Sequence, residues 1–378
     1  MEMQDNPYHC AIIGGGLAGL CLAIQLADKD FSVILFEKNT YPFHKVCGEY
    51  ISLESRDFLK ELGLPFESLN LPIINKLGVS SERGFMLEHD LQLGGFGISR
   101  YSLDNYLFQI AEKKGVTVLQ NCKVRNQQDF GTGFHQVQTN LGDFRAKAVC
   151  GSYGKYTPNF MGGQDAGKEL DSANYIGVKY HIKSNLAANR IELHNFQDGY
   201  CGISKVDQDW HCLCYLTTAK NLRAHGKNVK EMERHILHRN PFLKTYFTES
   251  EFIYDQPLII SNVQFSKKHT DLNGAFLLGD AAGSITPLCG NGMSMAMRAS
   301  KLLEAELTLY FGKKQTKEEA REHYKAAWNK AFLSRITAGY YLQGLFGKKW
   351  TTDLALRTLA HLPGLTNTLV SLTHGEPF

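Results

Sequence analysis

A chain of 378 residues is longer than one hydrophobic core usually supports, so two lobes sharing a ligand cleft are expected. With 43% hydrophobic and 21% charged residues it reads as an ordinary globular enzyme with no room for a long disordered tail. The formal net charge of +3 is not gathered into a basic stripe, which excludes nucleic acid as a partner.

Tyr8 to Ile13 reads as a short buried strand, Gly14 to Gly16 as a tight turn, Leu17 to Ala27 as a helix apolar on all sides, and Ser32 to Glu37 as a second buried strand. The stretch Cys10 to Ala27 carries no charge. Its cluster of Gly14, Gly15, Gly16 and Gly19 and its lack of a basic flank argue against a signal sequence or membrane span, and no transmembrane helix is expected. The spacing Gly14-x-Gly16-x-x-Gly19 between strand and helix suits a dinucleotide. Gly14 permits the turn, Gly16 lets backbone approach a pyrophosphate, and Gly19 lets helix and sheet pack closely. Glu37, closing the next strand, is placed to accept hydrogen bonds from a ribose diol and disfavours a 2′-phosphate.

Helical periodicity recurs at Leu53 to Leu62 and Leu103 to Lys114, the latter followed by a strand at Val116 to Leu119. Phe134 to Cys150 reads as a hairpin turning near Asn140, Leu141 and Gly142. Strand-like runs follow at Ile176 to Ile182, Arg190 to His194, Tyr200 to Val206 and His211 to Leu216, the pattern of a mostly antiparallel sheet and a second lobe. Val229 to His238 reads as helix, and Ala275 to Leu278 as one more buried strand. From Gly290 onward the pattern is helical, with an amphipathic run from Lys317 to Phe332. The nine cysteines, an odd number without a secretion signal, read as reduced thiols of a cytoplasmic protein. Cys212 and Cys214 beside His211 would share a strand face and make half a metal site at most, so no metal is expected.

Gly279-Asp280-Ala281-Ala282-Gly283 and then Pro287 to Met293 form a second chemical motif. A strand ending in Gly-Asp presents a carboxylate to a hydroxyl chain, and the glycines that open the next helix present N–H groups to an electron-rich ring. The plainer reading is a helix start with an acid nearby.

Together the two motifs resemble the glutathione-reductase-type FAD fold, in the branch shared by aromatic hydroxylases, flavin-dependent halogenases and geranylgeranyl reductases. The resemblance is strongest to geranylgeranyl reductase-like proteins. It implies an α/β architecture: a Rossmann-like FAD-binding domain (1–75, 96–165 and 266–312), a mostly antiparallel substrate domain (76–95 and 166–265) and a C-terminal helical region (313–378). By position it assigns FAD to Gly14, Gly16, Gly19, Glu37, Arg100, Asp280, Gly290, Asn291, Gly292 and Met293. NAD(P)H or another reductant would supply electrons. Lys45-Val46-Cys47-Gly48-Glu49 is similar to the Cys-Gly segment of geranylgeranyl reductases and makes Cys47 the candidate catalytic residue. As residues alone, Cys47 reads equally as a small buried apolar thiol.

The chain departs from the branch twice. Tyr153 stands where hydroxylases carry an aspartate, and Tyr200-Cys201-Gly202-Ile203-Ser204 lacks both tryptophans of the tryptophan-halogenase stretch. The expectation is therefore an FAD-dependent oxidoreductase that reduces a carbon–carbon double bond of a bulky apolar, prenyl or polyketide-like substrate. A monooxygenase, a non-catalytic prenyl-lipid escort and a halogenase stand as alternatives, and the late Gly-Asp motif argues against a plain NAD dehydrogenase. The apolar C-terminal segment from Tyr340 to Leu365 reads as packing surface or as a peripheral membrane contact. The oligomeric state is left open.

Overall fold

The computed structural model describes residues 7–131, 133–162, 174–263, 268–372 and 374–378; the expected domain boundaries at 165 and 265 lie outside these. Two sheets organise the chain. The first has a parallel core in the spatial order Ala275–Leu277, Asp143–Gly151, Tyr8–Ile13, Val33–Phe36 and Thr117–Leu119. The hairpin strands Val124–Asp129 and His135–Thr139 extend antiparallel from Asp143–Gly151. The helix Leu17–Ala27 crosses between the first two strands, and almost every residue in it is buried because the helix Gly292–Phe311 covers its outer side. An all-round apolar helix demands such burial. Leu20, Leu22 and Ile24 are wholly removed from solvent, each contributing about 1.5–3 kcal/mol.

The second sheet runs Glu251–Phe252, Tyr175–Lys183, His211–Thr218, Gly199–Lys205, Arg190–Phe196, Ile73–Ser80, Met86–Gly97 and Tyr50–Ser52, with Leu258–Val263 also paired on Tyr175–Lys183. All its pairings are antiparallel except Arg190–Phe196 with Ile73–Ser80. The four expected strands of this lobe are present, each within two residues of its expected bounds. Ile73–Ser80, Met86–Gly97, Val124–Asp129 and Leu258–Val263 are additional. Their polar residues interrupt any apolar run, and cross-strand pairing rather than local pattern makes them strands. The helix expected from Leu103 starts at Arg100, because the Ser99 hydroxyl accepts the Ser102 N–H at 3.2 Å and caps it.

The amphipathic C-terminal run extends to a single helix, Lys317–Gln343, opened by a Thr316–Glu319 capping box. Tyr324, Trp328 and Phe332, one turn apart, bury its inner face. Two short helices follow, Lys349–Ala360 and Pro363–Ser371.

One buried acid in the second lobe has a measurable consequence. Glu233 accepts hydrogen bonds from Tyr180 Oη (2.9 Å) and Tyr215 Oη (2.7 Å), and burial pushes its carboxyl up to about 7. A carboxyl raised on folding binds more protons in the native state, so stability falls as pH rises from about 4.5 to 7. Glu233→Gln keeps an acceptor for the tyrosines but cannot ionise. Its melting temperature should fall less than that of the parent chain between pH 5 and pH 8, as thermal denaturation at the two pH values will show.

Candidate functional site

The cleft lies where parallel strands end. Ile13, Phe36, Gly151 and Leu277 close four neighbouring strands, and the loops leaving them line a cavity of about 1070 Å³. Ligands in open α/β sheets bind at such carboxyl ends. Gly14 sits at φ +105°, and a Cβ there would meet the Ser152 carbonyl oxygen at 2.4 Å. A Cβ on Gly19 would strike the Gly14 carbonyl oxygen at 2.3 Å. A Cβ on Gly16 would meet nothing nearer than Lys45 Nζ at 3.8 Å, so this backbone faces open cavity. No side chain caps the helix that Gly16 opens, and its first turn holds no acid. Its free N–H groups and positive dipole end therefore suit a pyrophosphate.

Glu37 is buried at the cavity edge. Its Oε2 accepts the Gly15 N–H at 3.0 Å, and its Oε1 accepts the Asn39 backbone N–H at 2.9 Å and Asn39 Nδ2 at 2.8 Å. Tyr41 Oη donates to the Gly15 carbonyl and fills the space a Cβ on Gly15 would need. Gly15 and Tyr41 are thus parts of the cradle that the Gly-x-Gly-x-x-Gly spacing alone does not show.

At the other end, Gly279 takes φ +62° and turns Asp280 into the cavity, where its carboxylate makes no hydrogen bond to another described residue. Gly290 (φ +64°), Gly292 and Met293 line the same wall and open the helix Gly292–Phe311, which also lacks a side-chain cap. Asn291 is fully buried and, like Gly19, stands behind the wall. An uncapped helix start at each end and Asp280 in the cavity wall fit a ligand with a pyrophosphate, a polyol chain and a polar ring. That is the make-up of FAD. Asp280→Ala should weaken FAD binding roughly 10- to 100-fold, the value of a hydrogen bond to a charged group, as flavin fluorescence titration of the apoprotein can measure.

The loop His44 to Glu49 separates the two lobes at this cavity. Cys47 lines the cavity half-buried, its Sγ 3.6 Å from Met293 Sδ. Arg100 also lines it, with its guanidinium locked on Asp104 by two 2.8 Å bonds, and Lys45 Nζ reaches the same carboxylate at 2.9 Å.

Beneath the loop lies a cluster that no local pattern reveals. Gly177, Lys179 and His181 share one face of a strand, and that face packs on the loop. Lys179 Nζ donates to Glu49 Oε1 and, at 3.1 Å, to the Lys45 carbonyl. His181 Nε2 is 2.7 Å from Glu49 Oε2, Arg100 donates its backbone N–H to Glu49 Oε1 at 2.7 Å, and Cys212 Sγ donates to the Cys47 carbonyl at 3.2 Å. Burial would push the Glu49 carboxyl up, but the His181 hydrogen bond and the Lys179 charge outweigh it and hold the carboxyl below its ordinary value. Burial likewise opposes the Lys179 charge, and Cys212 and Glu49 beside it raise its pKa instead.

The ligand atoms of Glu49, His181 and Cys212 lie within 4.8 Å of one another, as a metal would require. The Lys179 ammonium already supplies the cation there. His211 points away from the Cys212 and Cys214 face and meets the Leu186 carbonyl at 3.1 Å.

A second cluster imitates a hydrolase. Ser80 Oγ is 2.8 Å from His194 Nδ1, and His194 Nε2 is 3.1 Å from Glu192 Oε2. All three are buried, none lines the cavity, and Asn240 Nδ2 donates to Ser80 Oγ at 2.8 Å. No substrate reaches that serine, and the cluster ties strands together.

The remaining wall is apolar. The second sheet supplies Leu77, Leu193, Tyr200 and Ile203 among others, and the C-terminal helices supply Leu342, Leu356, Leu359 and Leu369. Among the described residues, apart from His374, neither the second sheet nor the segment after Leu342 contributes an ionisable side chain other than Tyr50, Tyr200, Cys214 and Tyr215.

Comparison with known proteins agrees with this geometry. Residues 12–46 match the NAD(P)-binding Rossmann-like domain family. The chain is 23% identical to conditioned medium factor receptor 1 of Dictyostelium discoideum, over 87% of this chain and 69% of that protein. Its structure is similar to that of the flavin-dependent brominase Bmp2, with a TM-score of 0.78 and 18% identity over 97% of this chain and 93% of the other. It is also similar to PqsL, a probable FAD-dependent monooxygenase from Pseudomonas aeruginosa, with a TM-score of 0.74 and 18% identity over 93% of this chain and all of the other. The chain thus shares its fold with a flavin-dependent brominase and a probable FAD-dependent monooxygenase, and its cleft is lined by residues that fit FAD.

Proposed function

We propose that the chain binds FAD and acts as a flavin-dependent monooxygenase on a bulky apolar organic substrate. The observation that carries this reading is the single cavity: the dinucleotide cradle lines one end and an uncharged wall the other, with Cys47 and Met293 between them. FAD when bound would supply the redox chemistry: with two electrons from NAD(P)H or another reductant and two protons, one atom of dioxygen would enter the substrate and the other would leave as water. The chain's own residues hold the pyrophosphate and ribose ends through Gly14, Gly16 and Glu37. They exclude water from the reacting region and orient the substrate against the second sheet.

The similarity to a brominase favours halogenation as a second reading. Reduction of a double bond, the expectation drawn from Cys47, has the Cys47–Met293 contact in its favour, and the structural neighbours give it no support.

The test is to reduce the purified flavoprotein anaerobically with NADH, NADPH or light, then to admit oxygen with candidate apolar substrates, with and without bromide. A product that gains one oxygen atom supports the proposal. Exchange of hydrogen for halogen moves it to the second reading, and gain of two hydrogens without oxygen restores the reductase. A colourless protein that takes up no added FAD overturns all three in favour of a lipid escort.

A further inference from the structure

The two short helices Lys349–Ala360 and Pro363–Ser371 are apolar on opposite sides. Inward, Leu356, Leu359, Leu369 and Val370 line the cavity. Outward, Trp350 and Leu354 are each 68% exposed, and Leu362 and Leu365 are nearly half exposed. The last turn of the preceding helix, Lys317–Gln343, adds Tyr340 and Tyr341, 69% and 72% exposed. Leu345 belongs to both surfaces: it lines the cavity and is 43% exposed. So many large apolar side chains in one exposed stretch mark an interaction surface.

The exposed charges along residues 339–372 have one sign. Lys348 and Lys349 are exposed, and the Arg83 guanidinium lies 3.5 Å over the Trp350 ring. Between Gly339 and Leu372 the only acid is Asp353, which is buried against Arg357 (2.9 Å) and Ser81 (2.6 Å). Exposed tryptophan and tyrosine beside lysine and arginine is the pairing that sits at the headgroup level of an anionic bilayer. Among the described residues no helix is long and apolar enough to cross a membrane, so the contact would lie on the surface.

We propose that the outer face of these two helices docks on an anionic lipid bilayer, from which an apolar substrate enters the cavity they close. The clause about substrate rests on the function proposed above; the docking does not.

The experiment is co-sedimentation of the full chain with vesicles of phosphatidylcholine alone or mixed with phosphatidylserine, with flavin absorbance read on the same samples. The parent chain should pellet with the mixed vesicles, and less so in high salt. Trp350→Ser with Leu354→Ser should weaken binding at least about tenfold, since each side chain buries apolar area worth more than 1.4 kcal/mol. Lys348→Glu with Lys349→Glu should abolish the preference for phosphatidylserine. A parent chain that ignores both vesicles, or binding unchanged in both variants, overturns the docking. So does a parent dimer that Trp350→Ser with Leu354→Ser converts to a monomer, which would make the face a contact between copies. A yellow protein that ignores vesicles removes this proposal alone, whereas a colourless one that binds them removes the flavin reading alone.

Discussion

Gly14→Ala should yield a protein without bound flavin and with a lowered melting temperature. The new methyl group would stand 2.4 Å from the Ser152 carbonyl oxygen, a backbone atom that cannot swing aside as a flexible side chain would. At φ +105° the residue also lies where an L side chain costs about 1–2 kcal/mol. Overpacking a filled site adds about 1–3 kcal/mol. The turn would relieve both by moving away from Ser152, carrying Gly16 and the uncapped helix start out of register with the pyrophosphate. The ratio of flavin to protein absorbance after purification and a thermal melt read the two effects separately. Gly16→Ala is the contrast: its methyl enters open cavity and should lower flavin occupancy with little change in melting temperature. Equal loss of stability in both would show that the Gly14 contact is not what shapes the turn.

Lys179→Met should destabilise the fold by about 3–5 kcal/mol, the usual loss when one partner of a buried ion pair is removed. Glu49 would remain fully buried, with His181 and the Arg100 N–H as its remaining polar partners. Adding Glu49→Leu removes the stranded charge and should recover most of the loss, and a double-mutant cycle by denaturant unfolding measures the difference. The pH dependence has a definite sign. Glu49 is held below its ordinary carboxylate value, so its contribution is present above the unfolded carboxyl pKa and disappears as pH falls through the lower folded value. Lys179 is raised, so its contribution is full below its unfolded pKa and is lost as pH rises through the higher folded one. The double variant should lose part of the parent's acid sensitivity. Recovery of stability without recovery of flavin reactivity would identify the cluster as the positioner of the Cys47 loop.

How far the sequence reveals this architecture depends on how local each signal is. The strand Tyr8–Ile13, the glycine turn, the helix Leu17–Ala27 and Glu37 lie in one short segment, where strand and helix patterns and glycine chemistry each act over a few residues. The helix bounds agree residue for residue. The Glu49–Lys179–His181 cluster is the opposite case, because its partners are 130 and 132 residues apart in the chain. What the sequence does hold is a lysine and a histidine two apart in a strand, so on one face, among neighbours that read as buried. A buried charge implies a partner without naming it. Ile73–Ser80 and Met86–Gly97 are strands through pairing with each other and with distant neighbours, and local pattern does not show that. The apolar character of the substrate wall follows from which strand faces meet, which also lies beyond local pattern.

The order of strands in the first sheet bears on how the protein is made. Tyr8–Ile13, Val33–Phe36, Thr117–Leu119 and Asp143–Gly151 are all synthesised with the first part of the chain, whereas Ala275–Leu277 can join the side of Asp143–Gly151 only after the whole second lobe has been synthesised. That late strand carries Gly279 and Asp280 directly behind it. A nascent chain therefore holds the residues of the nucleotide cradle long before those of the polyol and ring contacts, and a ligand that needs both ends has to wait for the last third of translation. Ribosome-stalled chains ending before Ala275 would hold an adenine nucleotide at most, and flavin capture would report that the second lobe has already folded.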